Sequence, residues 1–432
     1  MRKNSIMQFI LCLLVILSAA CKKRTAIDDQ KIETPVITTP VNTTPLPTPA
    51  VTPSYEVGTG SGNLTIDGKS LDLSAIKLIR IKAGNYKTIT IANITGTSAQ
   101  PISIKNNGTV NISESMRLDA LVNVVVAGDN SADITYGFNF NDISYRALTI
   151  QGRVNGLTIK GMNFSNAGDY VITSSTNSLV YTGTAETRNQ NFKILNCLFD
   201  GSNMISLGGN LNKDAGEDTG LWKDVEIAYN IFQNSSPGSV CSFTNVQDYN
   251  IHNNVVNNIN ANNNNHNGVF FMQGNGKFHD NKLTNYQGNS IRMWLYSRGN
   301  TPATVEIYNN VCYNTRKYSG FELQEFSRNI WSGKTTYTIN KVYNNTVGQM
   351  NTSKDWEGQL LDLYTLSGTL EYYNNLGFNL NYTKGAPGNM INNMSDTKII
   401  KEENNKYFTS QSAAVGDLTN FRTLLPGLGA AL

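Results

Sequence analysis

From Val225 to Asn379 the chain repeats one short pattern, apolar-x-apolar-x-x-Asn, in six ungapped segments: VEIAYN, YNIHNN, GKFHDN, VEIYNN, NKVYNN and LEYYNN. Their sixth positions are Asn230, Asn254, Asn281, Asn310, Asn345 and Asn375, spaced 24, 27, 29, 35 and 30 residues apart. A period of this length means stacked units, each too small to bury its own apolar face without a like neighbour above and below. The alternation at the start of each unit predicts a short strand, and the Asn a turn. Strands stacked in parallel at about 4.8 Å put the Asn residues over one another, where their amides can donate and accept along the stack. The expectation is an all-β chain coiled as a right-handed, single-stranded parallel β-helix. A helical solenoid is excluded, because the units are rich in Asn, Val, Ile, Tyr and Gly and have no apolar stripe at helical spacing.

The ends of the chain differ from this body. Arg2 and Lys3 precede an apolar run and the small residues Ser18, Ala19 and Ala20, which together predict a secretory signal over residues 1–20. The segment LSAAC resembles the lipobox of bacterial lipoproteins, which implies cleavage before Cys21 and attachment of lipid to it. Residues 21–54 are rich in Thr and Pro, with too little apolar bulk for a core, and read as an extended tether. The β-helix is expected over 55–410, a length that a solenoid tolerates because each coil meets only its neighbours. Residues 411–432 are expected to cap the open end. Of five cysteines, Cys12 leaves with the signal and Cys21 takes the lipid, so Cys197, Cys241 and Cys312 are expected as buried free thiols. A net charge of +3 argues against nucleic acid as a partner, and a monomer is expected.

Early coils are placed at 64–73, 76–108, 122–130, 157–166 and 192–201, and the stretch Gly208 to Asp224 breaks the pattern as a projecting loop. The segment Ala83-Gly84-Asn85-Tyr86, followed by Gly96-Thr97-Ser98-Ala99-Gln100-Pro101-Ile102, resembles the opening of secreted right-handed β-helix proteins. These include polysaccharide lyase family 6 and many Bacteroidetes-type lipoproteins. The resemblance implies a pectate-lyase-like fold and action on a polysaccharide at the cell envelope. The catalytic motifs of family 6 are not found, so no residue is carried over from it.

A second set of strands aligns as GVFFM, SIRMWL, GFELQ and LLDLY. With Val269, Ile291, Phe321 and Leu361 inward, period two turns Phe270, Arg292, Glu322 and Asp362 outward in one column. Met272, Trp294, Gln324 and Tyr364 make a second. A cation, two carboxylates and large rings suit a polymer of hydroxylated, charged sugars, because rings stack on sugar faces and Arg binds a uronate carboxylate. Three readings stay open. In a lyase, Arg or Ca²⁺ neutralises the uronate and Arg292, Lys317 or Tyr296 takes the proton, with His266 as a further acid or base. In a glycoside hydrolase, Glu322 and Asp362 are the paired carboxylates. In a non-catalytic glycan-binding or structural protein, Arg292 and Glu322 are only an ion pair along the stack.

Two places in the sequence offer metal ligands. Asp214, Glu217 and Asp218 in the projecting loop could hold Ca²⁺ through oxygen donors. His252 and His279, in line with Tyr308, Tyr343 and Tyr373, could share a metal but fit better as rungs of an outward aromatic ladder. The expected function is cleavage of an anionic polysaccharide by β-elimination.

Overall fold

The computed structural model describes residues 53–128, 133–212, 216–260, 265–326, 335, 337–381, 390–395, 397–417, 419, 421 and 423–431. The expected signal, Cys21 and all but the last two residues of the expected tether lie outside them. Strand structure begins at Ser54, which pairs with Leu78. Among the described residues, thirty strands join into one continuous array in which every pairing is parallel, as a parallel β-helix requires. The regular coils have three strands, so the units carry one more than the sequence pattern reveals. In one coil these are Ala303–Tyr308, Val311–Thr315 and Phe321–Glu325. They lie on Thr338–Tyr343, Thr346–Met350 and Leu361–Tyr364 of the next.

The inward residues stack in register. Ile227, Ile251, Phe278, Ile307, Val342 and Tyr372 form one buried column, each paired with the next. Elsewhere Phe140, Phe164, Phe199 and Phe232 stack at 4.7 to 5.0 Å. Cys197, Cys241 and Cys312 are free and buried, as expected.

The predicted Asn ladder is present and enclosed. The backbone N–H and the side-chain amide of each Asn donate to Oδ1 of the Asn one coil on, at 3.0 to 3.1 Å, from Asn230 through to Asn405. Each amide also donates to a strand carbonyl, as Asn281 does to Ile251 at 3.0 Å. The residue before each ladder Asn is left-handed: Tyr229, Asn253, Asp280, Asn309, Asn344 and Asn374 have φ of 52 to 59°. Asn and Asp tolerate that region best among residues with a Cβ, which accounts for the recurrent Asn-Asn doublet. Gly84, in the segment that resembles secreted β-helix proteins, has a φ of 151°, and a Cβ there would lie 2.1 Å from Gly60 O. That approach explains the glycine.

The tail does not fulfil its expected role. Ala414, Val415, Phe421, Leu428 and Ala430 pack with Val311, Leu376 and Phe378, on the outer side of the second sheet. Ala430 N donates to Thr346 Oγ1 at 2.9 Å. The tail therefore runs along the flank of several coils, because those strands carry apolar residues on both faces and the outer set needs cover. At the last coil, a register shift between Leu370 and Glu371 and the charged run Lys398–Glu403 interrupt a regular strand edge.

Candidate functional site

The third sheet carries the outward column. Arg292 pairs with Glu322, Glu322 with Asp362 and Asp362 with Asn392, so their side chains emerge one above another. Trp294, Gln324 and Tyr364 form the second column, as the period-two reading expects. One strand is out of phase with that reading. Phe270 pairs with Ile291 and is fully buried, whereas Phe271 pairs with Arg292 and takes the outward place. Met272 is buried as well, and Gln273 stands beside Trp294. The run GVFFM has no polar residue to mark its phase, and a slip of one residue exchanges the faces. Phe270 is thereby removed as a substrate contact.

Outward does not mean exposed here. Glu322 and Asp362 are 0% and 1% accessible, because the chain before each strand folds over them. Arg292 Nε donates to Glu322 Oε1 at 2.6 Å. His266 approaches the same carboxylate from the other side, its Nε2 2.7 Å from Oε2. That nitrogen also lies 3.1 Å from Asn289 Oδ1, an atom fixed in orientation because Asn289 Nδ2 donates to Ser319 O at 3.0 Å. An acceptor held in this orientation places a proton on Nε2. The His266 carbonyl accepts from Arg292 Nη1 at 3.3 Å, closing the unit.

His266 lies flat against Tyr318, with ring centroids 4.2 Å apart and planes 11° apart. Tyr318 has a φ of 78°, a left-handed backbone that a bulky side chain seldom adopts. The adjoining Lys317 carbonyl holds that corner by accepting from Thr315 Oγ1 at 2.7 Å and from Gly288 N at 3.3 Å. Beyond Tyr318 stands Trp356, edge to face at 6.0 Å. Lys317 pairs with Asp355 at 3.2 Å rather than joining the Arg292 column.

Burial dominates the electrostatics. It pushes the Asp362 carboxyl up to about 8, with the nearby Glu322 charge acting in the same direction and hydrogen bonds from Ser319 and Asn392 opposing it. Burial also raises the Tyr364 hydroxyl well above the usual phenol range, reinforced by Asp362 and Glu322. Asp362 thus holds its proton more tightly than an ordinary carboxyl.

The other predicted residues serve elsewhere. Tyr296 is fully buried, its hydroxyl donating to Asn245 Oδ1 at 2.9 Å, and burial lifts that hydroxyl to about 12. It cannot reach a substrate on the Arg292 face. Asp218 is held by Arg298, whose Nη2 donates to Oδ1 at 2.8 Å, and by Asn245 Nδ2 at 2.9 Å. Glu217 accepts from Asn210, and Asp214 lies outside the described residues. The acids of the projecting loop thus pin a short antiparallel pair, Leu211–Asn212 with Glu217–Asp218. Among the described residues no group of three or more His, Cys, Asp or Glu is placed to hold a metal. His252, His279, Tyr308, Tyr343 and Tyr373 form the aromatic ladder, at 4.5 to 5.0 Å.

Tyr318, Trp356, Asn289 and Asn392 were missed by sequence reasoning. The one signal available for them was a lone Trp in the polar run Ser353-Lys354-Asp355-Trp356-Glu357-Gly358.

No family model matches the sequence, and no curated protein matches it. Among solved structures, the chain is similar to a PL6 family polysaccharide lyase from Pseudopedobacter saltans. The identity is 11% and the TM-score 0.40, over 87% of this chain and 97% of that one.

Proposed function

We propose that this chain is a carbohydrate-active β-helix protein of the cell envelope that cleaves an anionic polysaccharide by β-elimination, with His266 as the base. The observation that carries the reading is the convergence of two groups on one buried carboxylate: Nε2 of His266 lies 2.7 Å from Glu322 Oε2, and Nε of Arg292 donates to Oε1 at 2.6 Å. A base oriented by a buried acid is the arrangement proton abstraction needs. The uronate's carboxylate sits against Arg292, which withdraws charge and acidifies the neighbouring C–H. Nδ1 of His266 takes that proton, the electron pair becomes a carbon–carbon double bond, and the glycosidic oxygen leaves with a proton from solvent. Trp294, Gln324 and Tyr364 flank the reacting sugar. The signal, lipid on Cys21 and the Thr/Pro tether hold the β-helix at the membrane.

Hydrolysis by Glu322 and Asp362 is disfavoured, because both carboxyls are enclosed. The enclosure does suit a structural Arg292–Glu322 pair, which keeps glycan binding without turnover as the second reading. Single substitutions separate the two. His266→Gln should lower turnover by about 10²- to 10⁴-fold with the circular dichroism spectrum unchanged. Turnover that survives both His266→Gln and Arg292→Gln would sink the assignment.

A further inference from the structure

We propose that Trp356, with the Lys317–Asp355 ion pair, is a subsite for an uncharged sugar adjacent to the uronate at His266, so that the preferred polymer alternates uronate with neutral sugar. The inference rests on the reading above for the position of the uronate. Trp356 is 43% exposed although it stands against the site, joined to His266 through Tyr318 by the 6.0 and 4.2 Å ring contacts. Its position is fixed. Thr352 N donates to Thr315 O at 3.0 Å, Ser353 N donates to Arg316 O at 3.0 Å, and the Ser353 hydroxyl donates to Asp355 Oδ1 at 2.5 Å. An exposed indole held by its loop offers a flat apolar face, which is what the C–H side of a pyranose covers.

The charges define the kind of sugar. Lys317 Nζ lies 5.4 Å from the Trp356 ring centroid and 3.2 Å from Asp355 Oδ2. The ammonium is therefore compensated, and any group bound over the indole faces a donor and an acceptor together. Vicinal hydroxyls satisfy both, whereas a second carboxylate would meet Asp355 as a like charge. The anionic position at Arg292 is taken from the reading above. One anionic and one neutral position in succession describe a heteropolymer rather than a homopolyuronate.

The test is calorimetric titration of the full-length His266→Gln protein, which blocks turnover, with two probes that share the same uronate. One is a tetrasaccharide alternating galacturonate and rhamnose; the other is tetragalacturonate. The alternating probe should bind about tenfold more tightly, Trp356→Ala should remove that preference, and Trp356→Phe should restore most of it. Equal or tighter binding of tetragalacturonate, binding unaffected by Trp356→Ala, or no binding of either probe would overturn the subsite. Turnover is read separately with His266 intact. Trp356-dependent binding without elimination leaves the subsite and removes the lyase, while elimination with Trp356-independent binding does the reverse.

Discussion

At the scale of single residues, Glu322 and Asp362 occupy equivalent places on successive coils and differ in state because of their neighbours. Glu322 has Arg292 and His266 against it, whereas Asp362 has Asn392 and a like charge. Asp362 carries a pH signature. Its carboxyl rises from an ordinary 3.8 to about 8 on folding, so between those values the native chain keeps a proton that the unfolded chain has lost. Its contribution to stability is fully present below about pH 4 and is lost as pH rises through about 8, at up to ~1.4 kcal/mol per pH unit. Asp362→Asn should flatten the pH dependence of denaturant unfolding across that window and make the variant the more stable protein at pH 9. An unchanged slope would show that Asp362 is ionised in the folded state.

Elements in this protein are strands and corners, and the corners are the more specific of the two. Asn310 sits mid-ladder, accepting from two donors of Asn281 and donating to Asn345, Phe278 and Tyr308. Asn310→Ala strands those groups in a buried corner and should cost about 2 to 4 kcal/mol in denaturant unfolding. Asn405→Ala, at the end of the ladder, should cost less than half as much; equal costs would mean that the ladder adds nothing beyond local turn formation. The ladder was legible because its Asn recurs at a fixed place in each unit. The left-handed residue before it was written in the same doublets but carries no apolar signal. Faces were legible only where polar residues marked the phase, as in Arg292-Met293-Trp294, and not in Val269-Phe270-Phe271-Met272.

The flanking tail is an element of another kind, since it covers apolar residues that face away from the coil. Phe421 packs 4.9 Å from Tyr313 and is buried. Phe421→Ala should release the tail, so that limited proteolysis removes residues beyond Ser410 before the coil is cut, with turnover retained. Cleavage of coil and tail at the same rate would contradict a separable cover.

For the whole molecule, a coil whose every strand pairs only in parallel with its neighbours brings residues thirty or more positions apart within hydrogen-bonding distance, as Arg292 and Glu322 are. That is why the main column could be read from aligned repeats. What could not be read is what lies between the strands. The loops bearing His266, Tyr318 and Trp356 follow no period, yet they close over the carboxylates, orient the imidazole and expose the indole. The repeat builds the wall, and the irregular segments make it a candidate site.

The most direct test of the central claim is the mass of the products formed from pectin, alginate, chondroitin and neutral glycans by the wild-type protein. β-Elimination by His266 predicts oligosaccharides from an anionic polymer that are lighter than hydrolysis products by one water, and none from the neutral glycans. Products at full hydrolytic mass would contradict it and return the chemistry to Glu322 and Asp362; no products from any polymer would leave the face as a glycan-binding surface.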